Sequence, residues 1–192
     1  MARLHLLAAA AVLAPVLLAG CGGNEPEPQL PDTAPSPSST PSASPAAEAT
    51  QEPTLPPEAE GNDEAAAEAF VRYYWDAVDY AQLTGDLKAL KKLSLPSCAS
   101  CNSGNEYVSN MYANGGSLQG VDYTVNRVRL AKRSDGADFG TYRAEAELSN
   151  GAYTEQASSS AEPVDRPAGT GTAVMDLTWD KTGFSVATWT LR

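Results

Sequence analysis

Histidine is almost missing from this chain: the single one is His5, near the start. Beyond it there is no imidazole to act as a general base, to activate a serine or to bind a metal. Cysteine is scarce as well, with three in 192 residues, which excludes a disulfide-dense scaffold. Basic residues number 13 against 24 acids, for a net charge of −11, and they form no stripe, so nucleic acid is not an expected partner. No apolar run reaches the roughly 20 residues that a membrane-spanning helix needs. From residue 22 to 61 there is no Lys, no Arg and no aromatic side chain.

What is present begins with a short cationic start, Met1-Ala2-Arg3, and an apolar stretch from Leu4 to Leu18. At about 15 residues, that stretch suits the core of a signal peptide better than a span. It ends in Leu18-Ala19-Gly20-Cys21, which resembles the bacterial lipobox. The resemblance implies a signal peptide over residues 1–20, cleavage before Cys21 and acylation of that cysteine with diacylglyceryl and palmitate-type chains. The expected place is then the extracytoplasmic face of a bacterial cell membrane, with the lipid as the membrane contact. Ordinary secretory cleavage and an uncleaved anchor are the alternatives. Several acyl chains on one residue hold a protein on a bilayer far longer than one does.

Residues 21–61 read as a tether. They contain ten of the fourteen prolines, seven acids and many Ser, Thr and Ala. Such a composition cannot bury enough apolar surface to offset the entropy of ordering, so disorder is expected. Forty residues in a polyproline-like conformation reach about 120 Å. A Ser/Thr-Pro stretch over 33–44 would also suit an O-glycosylated stalk. The remainder, 62–192, is long enough for one domain with one core. Its 17 acids and 12 bases leave −5, an ordinary soluble surface.

Within that domain a helix is expected from Asn62 or Asp63 to about Gln82, with Phe70, Tyr74, Ala77, Val78 and Ala81 on one side. Arg72 and Asp76, four apart on the opposite side, are placed to form an ion pair. Gly85 is a stop signal, and Asp86 caps a shorter helix with Leu87, Leu90 and Leu93 inward. A third helix is expected from about Ser103 to Ala113, with Tyr107, Met111 and Tyr112 as its apolar side, closed by Gly115-Gly116. From Val121 the period becomes alternating. A parity slip near Asn126-Arg127 signals a β-bulge. Ser134-Asp135-Gly136 marks a turn, and Tyr142, Ala144, Ala146 and Leu148 form the inward side of the next strand. Asn150-Gly151 is the strongest hairpin signal. Ala152 to Ser159 reads as a polar edge strand, 160–171 as a loop, and two strands close the chain, with Met175, Leu177 and Trp179 on one face.

Two to three N-terminal helices packed on a curved antiparallel sheet of four to six strands make an α+β class. The order of elements over 62–192 resembles the cone-shaped fold of nuclear transport factor 2, ketosteroid isomerase and limonene-epoxide hydrolase. The stretch from Phe70 to Tyr80 (FVRYYWDAVDY), with Thr84-Gly85-Asp86, Leu90, Leu93 and Pro96-Ser97-Cys98-Ala99-Ser100-Cys101, is similar to a family of actinobacterial lipoproteins known only as a domain of unknown function. That resemblance implies export and this architecture, and it implies no catalytic residue.

Cys98 and Cys101 are the thiols that remain once Cys21 is acylated. In an oxidising compartment they suit a structural disulfide. A redox pair or part of a metal site are the other readings, although no thioredoxin-like unit surrounds them and two thiols fall short of a metal's three or four ligands. An acid/base enzyme could use a carboxylate buried in an apolar cavity. Asp76, Asp79, Asp122, Glu145, Glu147 and Asp176 are all expected on solvated faces, so no catalytic residue and no cofactor is assigned. The aromatic set suggests a pocket bounded by Phe70, Tyr74, Val78, Tyr142, Trp179 and Trp189, with tyrosine hydroxyls as its polar contacts; a filled core is the plainer reading. The function expected is a non-enzymatic binding module for an envelope protein, a wall component or a small apolar ligand. A small-molecule-binding cone or acid/base enzyme, and a thiol-redox protein, are the rivals.

Overall fold

The computed structural model describes residues 51–133 and 142–192. The lipobox-like segment with Cys21, the tether up to residue 50 and the turn expected at Ser134-Asp135-Gly136 lie outside the described residues.

Helix α1 (Glu64–Thr84) starts at its cap, where the Asp63 carboxylate accepts the Ala66 N–H at 2.9 Å. That satisfies one of the free donors of the first turn. It stops at Gly85, whose φ of +75° is the left-handed conformation that glycine adopts without penalty. The helix buries more than its expected stripe: Tyr73 and Trp75 are inside too. One reason lies upstream of residue 62, where Pro57–Ala59 forms a 3₁₀ turn against α1, Ala59 is buried and the Tyr73 hydroxyl donates to the Pro53 carbonyl. Arg72 does not pair with Asp76. It donates to Glu68 at 2.8 Å and to the Val125 carbonyl at 2.7 Å, because the strand over Tyr123–Lys132 passes beside it.

Helix α2 (Lys88–Lys92) follows, its Lys88 N–H bonded to the Asp86 carboxylate. Helix α3 (Ala99–Ala113) starts four residues earlier than Ser103, because Cys98 caps it: the Cys98 sulfur accepts the Cys101 N–H at 3.2 Å. Its buried residues are Cys101, Asn105, Val108 and Met111. Tyr107, expected inward, is 49% exposed.

The strands divide between two open antiparallel sheets. One has four strands in the order β2 (Tyr123–Lys132), β3 (Tyr142–Asn150), β6 (Gly169–Asp180) and β7 (Gly183–Leu191). The other has three in the order β1 (Ser117–Gln119), β4 (Tyr153–Gln156) and β5 (Val164–Arg166). The helices pack on these sheets, giving the expected α+β class. The bulge is where the parity slip put it, between Val125 and Arg127, and Arg72 takes up the Val125 carbonyl there. Tyr142, Ala144, Ala146 and Leu148 all face inward. Ala144, Ala146 and Ala173 have no exposed surface, and their small size admits the large rings of α1 to the core.

Two strand assignments differ from expectation. Asn150-Gly151 does not close a hairpin: β3 already lies between β2 and β6, so the chain leaves that sheet and β4 joins the other one. The segment expected as an edge strand is therefore central, flanked by β1 and β5. The loop expected over 160–171 holds β5 and the start of β6. The close meeting of the α3–β1 turn with β4 explains Gly116, where a side chain would collide with the Gln156 carbonyl and would sit 2.7 Å from the Ala157 carbonyl carbon.

Candidate functional site

The aromatic residues form two clusters, each around one ring. Phe184 is the centre of the first, with ring centroids 5.7 Å from Phe70, 6.0 Å from Tyr142 and 5.0 Å from Trp179. Phe70, Tyr142 and Phe184 are buried, so this cluster is filled core. Trp75 is the centre of the second, 5.2 Å from Tyr123, 6.0 Å from Trp189 and 6.2 Å from Tyr74. A pocket opens beside the second cluster. The six residues expected to share one pocket are thus separated: Tyr74, Val78 and Trp189 line it, whereas Phe70, Tyr142 and Trp179 do not.

The pocket has a volume of about 260 Å³ and is partly enclosed. Helix α1 supplies Tyr74, Trp75, Val78 and Gln82 along one wall. Helix α3 supplies Cys101, Gly104, Asn105 and Val108 along another. Trp189 and Leu191 close it from β7, and Tyr123 from the first residue of β2. Ser100 holds this arrangement, its hydroxyl accepting the backbone N–H of Trp189 at 3.0 Å and so fastening β7 to the start of α3. Tyr107 and Leu191 lie at the pocket with about half of their surface exposed, 49% and 55%. Among the described residues, no Asp, Glu, Lys or Arg lines this pocket.

The hydroxyls of Tyr74, Tyr107 and Tyr112 are already engaged. Tyr107 donates to Glu155 at 2.8 Å, Tyr112 to the Gln82 carbonyl at 2.7 Å, and Tyr74 makes a long contact of 3.8 Å with the Cys101 sulfur. Instead, the Trp75 indole N–H and the Asn105 carboxamide oxygen are buried with no hydrogen-bond partner. Trp75 is 3% exposed and Asn105 6%. The Trp189 indole N–H also lacks a bond of good geometry, although it lies close enough to the Tyr74 hydroxyl to oppose the upward push of burial on that phenol. Buried polar groups are nearly always paired, so such atoms beside a cavity mark a place where a bound molecule would supply the partner.

Tyr123 and Asn105 lie outside the aromatic set that suggests a pocket in the sequence, and both line it. Asn105 could have been found: it stands on the same helical side as Cys101 and Val108, a polar residue in an apolar stripe. A helix begun at Ser103 leaves Cys101 out of that stripe.

Cys98 and Cys101 form a disulfide, with Cα atoms 5.3 Å apart and both residues buried. Burial denies an attacking thiolate its approach, which speaks against the redox reading. The bridge fixes the start of α3, and Cys101 forms part of the pocket wall. Among the described residues, no group of three or more His, Cys, Asp or Glu could hold a metal.

Most acids lie on solvated faces as expected, with two departures. Asp176, expected to point to solvent, is ion-paired with Arg143 at 2.9 Å and Arg133 at 2.9 Å, and the Arg143 hydrogen bond holds its carboxyl below the usual range. Asp79 is the larger departure. Its Oδ2 accepts the Tyr123 N–H while Oδ1 is buried without a partner. Burial pushes its pKa up to about 7 against the pull of that hydrogen bond, helped by the charges of Asp122 and Asp76. A polar face on α1 was expected to be solvated, but β2 starts directly over it.

A family model, that of a family of unknown function (DUF6318), matches residues 39–190. The chain belongs to this family. The intermembrane space region of the chloroplast protein ARC6, known from a crystal structure, is similar over 97% of its length and 68% of this DUF6318 member, with a TM-score of 0.47 and 15% identity. No curated protein matches.

Proposed function

We propose that this DUF6318 member is a lipid-anchored protein of the bacterial cell envelope whose domain is a non-enzymatic binding module for a small, largely apolar ligand. The carrying observation is the pocket beside Trp75: apolar walls, a rim of exposed Tyr107 and Leu191, and buried polar atoms without partners. Pockets of this composition, apolar with a few placed polar groups, are the usual form of small-molecule sites. The lipobox-like segment ending in Cys21, the actinobacterial lipoprotein resemblance and the Pro-rich tether support the envelope location. Helices followed by a bulged antiparallel sheet support kinship with the cone-shaped folds.

Gly104 offers the test. A Cβ there would sit 3.9 Å from the Trp189 ring, so the position tolerates a side chain, and a leucine would extend into the pocket. Neutral ring compounds should raise the melting temperature of the wild-type protein, and Gly104→Leu should abolish that rise while keeping the fold. Turnover of a bound compound would overturn the non-enzymatic part of the reading.

One observation favours acid/base catalysis instead, namely the raised pKa of Asp79 next to Tyr123. Against it, Asp79 is not part of the pocket wall. Loss of any such turnover in Asp79→Asn, with binding retained, is the result that would establish it.

A further inference from the structure

We infer that the Trp75 pocket takes a neutral ring compound carrying both a hydrogen-bond donor and a hydrogen-bond acceptor, with a ring alcohol as the simplest member of the class. This rests on the pocket being a small-molecule site and specifies what enters it.

Size sets the first limit. About 260 Å³ lies just below the roughly 300–1,000 Å³ usual for drug-sized ligands, so one or two rings fit and an extended polymer does not. The walls set the second. Tyr74, Trp75, Tyr107, Tyr123 and Trp189 present ring faces and edges that pack best against another flat ring. Charge sets the third: among the described residues none of the lining side chains is ionised, so a charged ligand would lose its hydration without gaining a counter-charge.

The free polar atoms then choose between a hydrocarbon and an alcohol. The Asn105 oxygen accepts and the Trp75 N–H donates, so the two demand opposite partners. A hydrocarbon would seal both atoms away from water and leave them unmet. A hydroxyl group can serve either atom, because it donates to an oxygen and accepts from an N–H. An aromatic enclosure also suits a quaternary ammonium, yet the ammonium group itself offers the Trp75 N–H no acceptor.

The test titrates the full chain with 2-naphthol, naphthalene, 2-naphthalenesulfonate and choline, following tryptophan fluorescence and the indole N–H resonances. The expected result is 2-naphthol binding about tenfold more tightly than naphthalene, the step one well-placed hydrogen bond supplies, with a downfield shift of the Trp75 N–H. Asn105→Leu should remove that advantage and leave naphthalene affinity within about twofold, as expected when the lost bond is the only change. The wild-type contrast and the resonance shift decide the matter even if Asn105→Leu folds poorly. Equal affinity for 2-naphthol and naphthalene would overturn the ligand class while leaving a small-molecule pocket in place. Tightest binding of the sulfonate or of choline would overturn its neutrality. Binding of none of the four would overturn the pocket reading itself.

Discussion

Asp79 on α1 and Tyr123 at the start of β2, 44 residues apart in sequence, are joined by a 2.9 Å hydrogen bond from the Tyr123 N–H to Oδ2 of Asp79. The bond fixes the edge strand of the four-stranded sheet against the helix, and it places Tyr123 at the pocket. It also holds a carboxyl group where burial disfavours its charge.

Stability should therefore depend on pH through Asp79. Its folded pKa, about 7, lies above the ordinary carboxylate value of 3.8, so the folded state holds this proton more tightly than the unfolded one. The contribution is full below about pH 4 and is lost as pH rises to about 7, on the order of 2 kcal/mol once screening at a half-buried site is allowed for. Denaturant midpoints measured from pH 4 to 8 should fall over this window. In Asp79→Asn the fall should disappear, and an unchanged slope would show that another group is responsible.

Gly116→Ala should destabilise the protein by about 2 kcal/mol or more, because the new methyl group meets rigid backbone of β4 rather than a movable side chain. Gly151→Ala is the control, since nothing lies within 4 Å of a Cβ there. Thermal melts of the two variants should differ by several degrees; similar melts would contradict the close packing of the α3–β1 turn on β4.

Replacing both Cys98 and Cys101 by serine should cost about 2 kcal/mol, the low end for disulfides because the closed loop is only four residues. The serine at 98 can still cap α3, so the helix should remain by circular dichroism. Ligand-induced stabilisation should weaken too, because Cys101 is part of the pocket wall.

Cys21→Ser should abolish incorporation of labelled palmitate and release the protein from the membrane fraction. Retention on the membrane with full labelling would show that Cys21 is not the acylated residue.

The local signals in the sequence hold where one element suffices to make them. The Asp63 cap and Gly85 stop delimit α1, the parity slip near Asn126 locates the bulge, and Tyr142 to Leu148 alternate inward as their pattern requires. The cap of α3 carries no ordinary sequence signal, because a cysteine sulfur fills a role usually given to Ser or Asp. The candidate pocket was half legible: its aromatic composition is visible, but its membership is not.

By itself the sequence determined which side of each helix and strand faces inward, where several elements begin and end, and that small alanines would meet large rings. These follow from period, cap and residue size, all carried within a few neighbouring positions. Only the tertiary structure decided that Asn150-Gly151 leads to another sheet, that Phe184 and Trp75 gather separate clusters, and that Asp79 lies under Tyr123. Each of those depends on which distant segment arrives alongside, and a side-chain period states that a face is covered without naming what covers it.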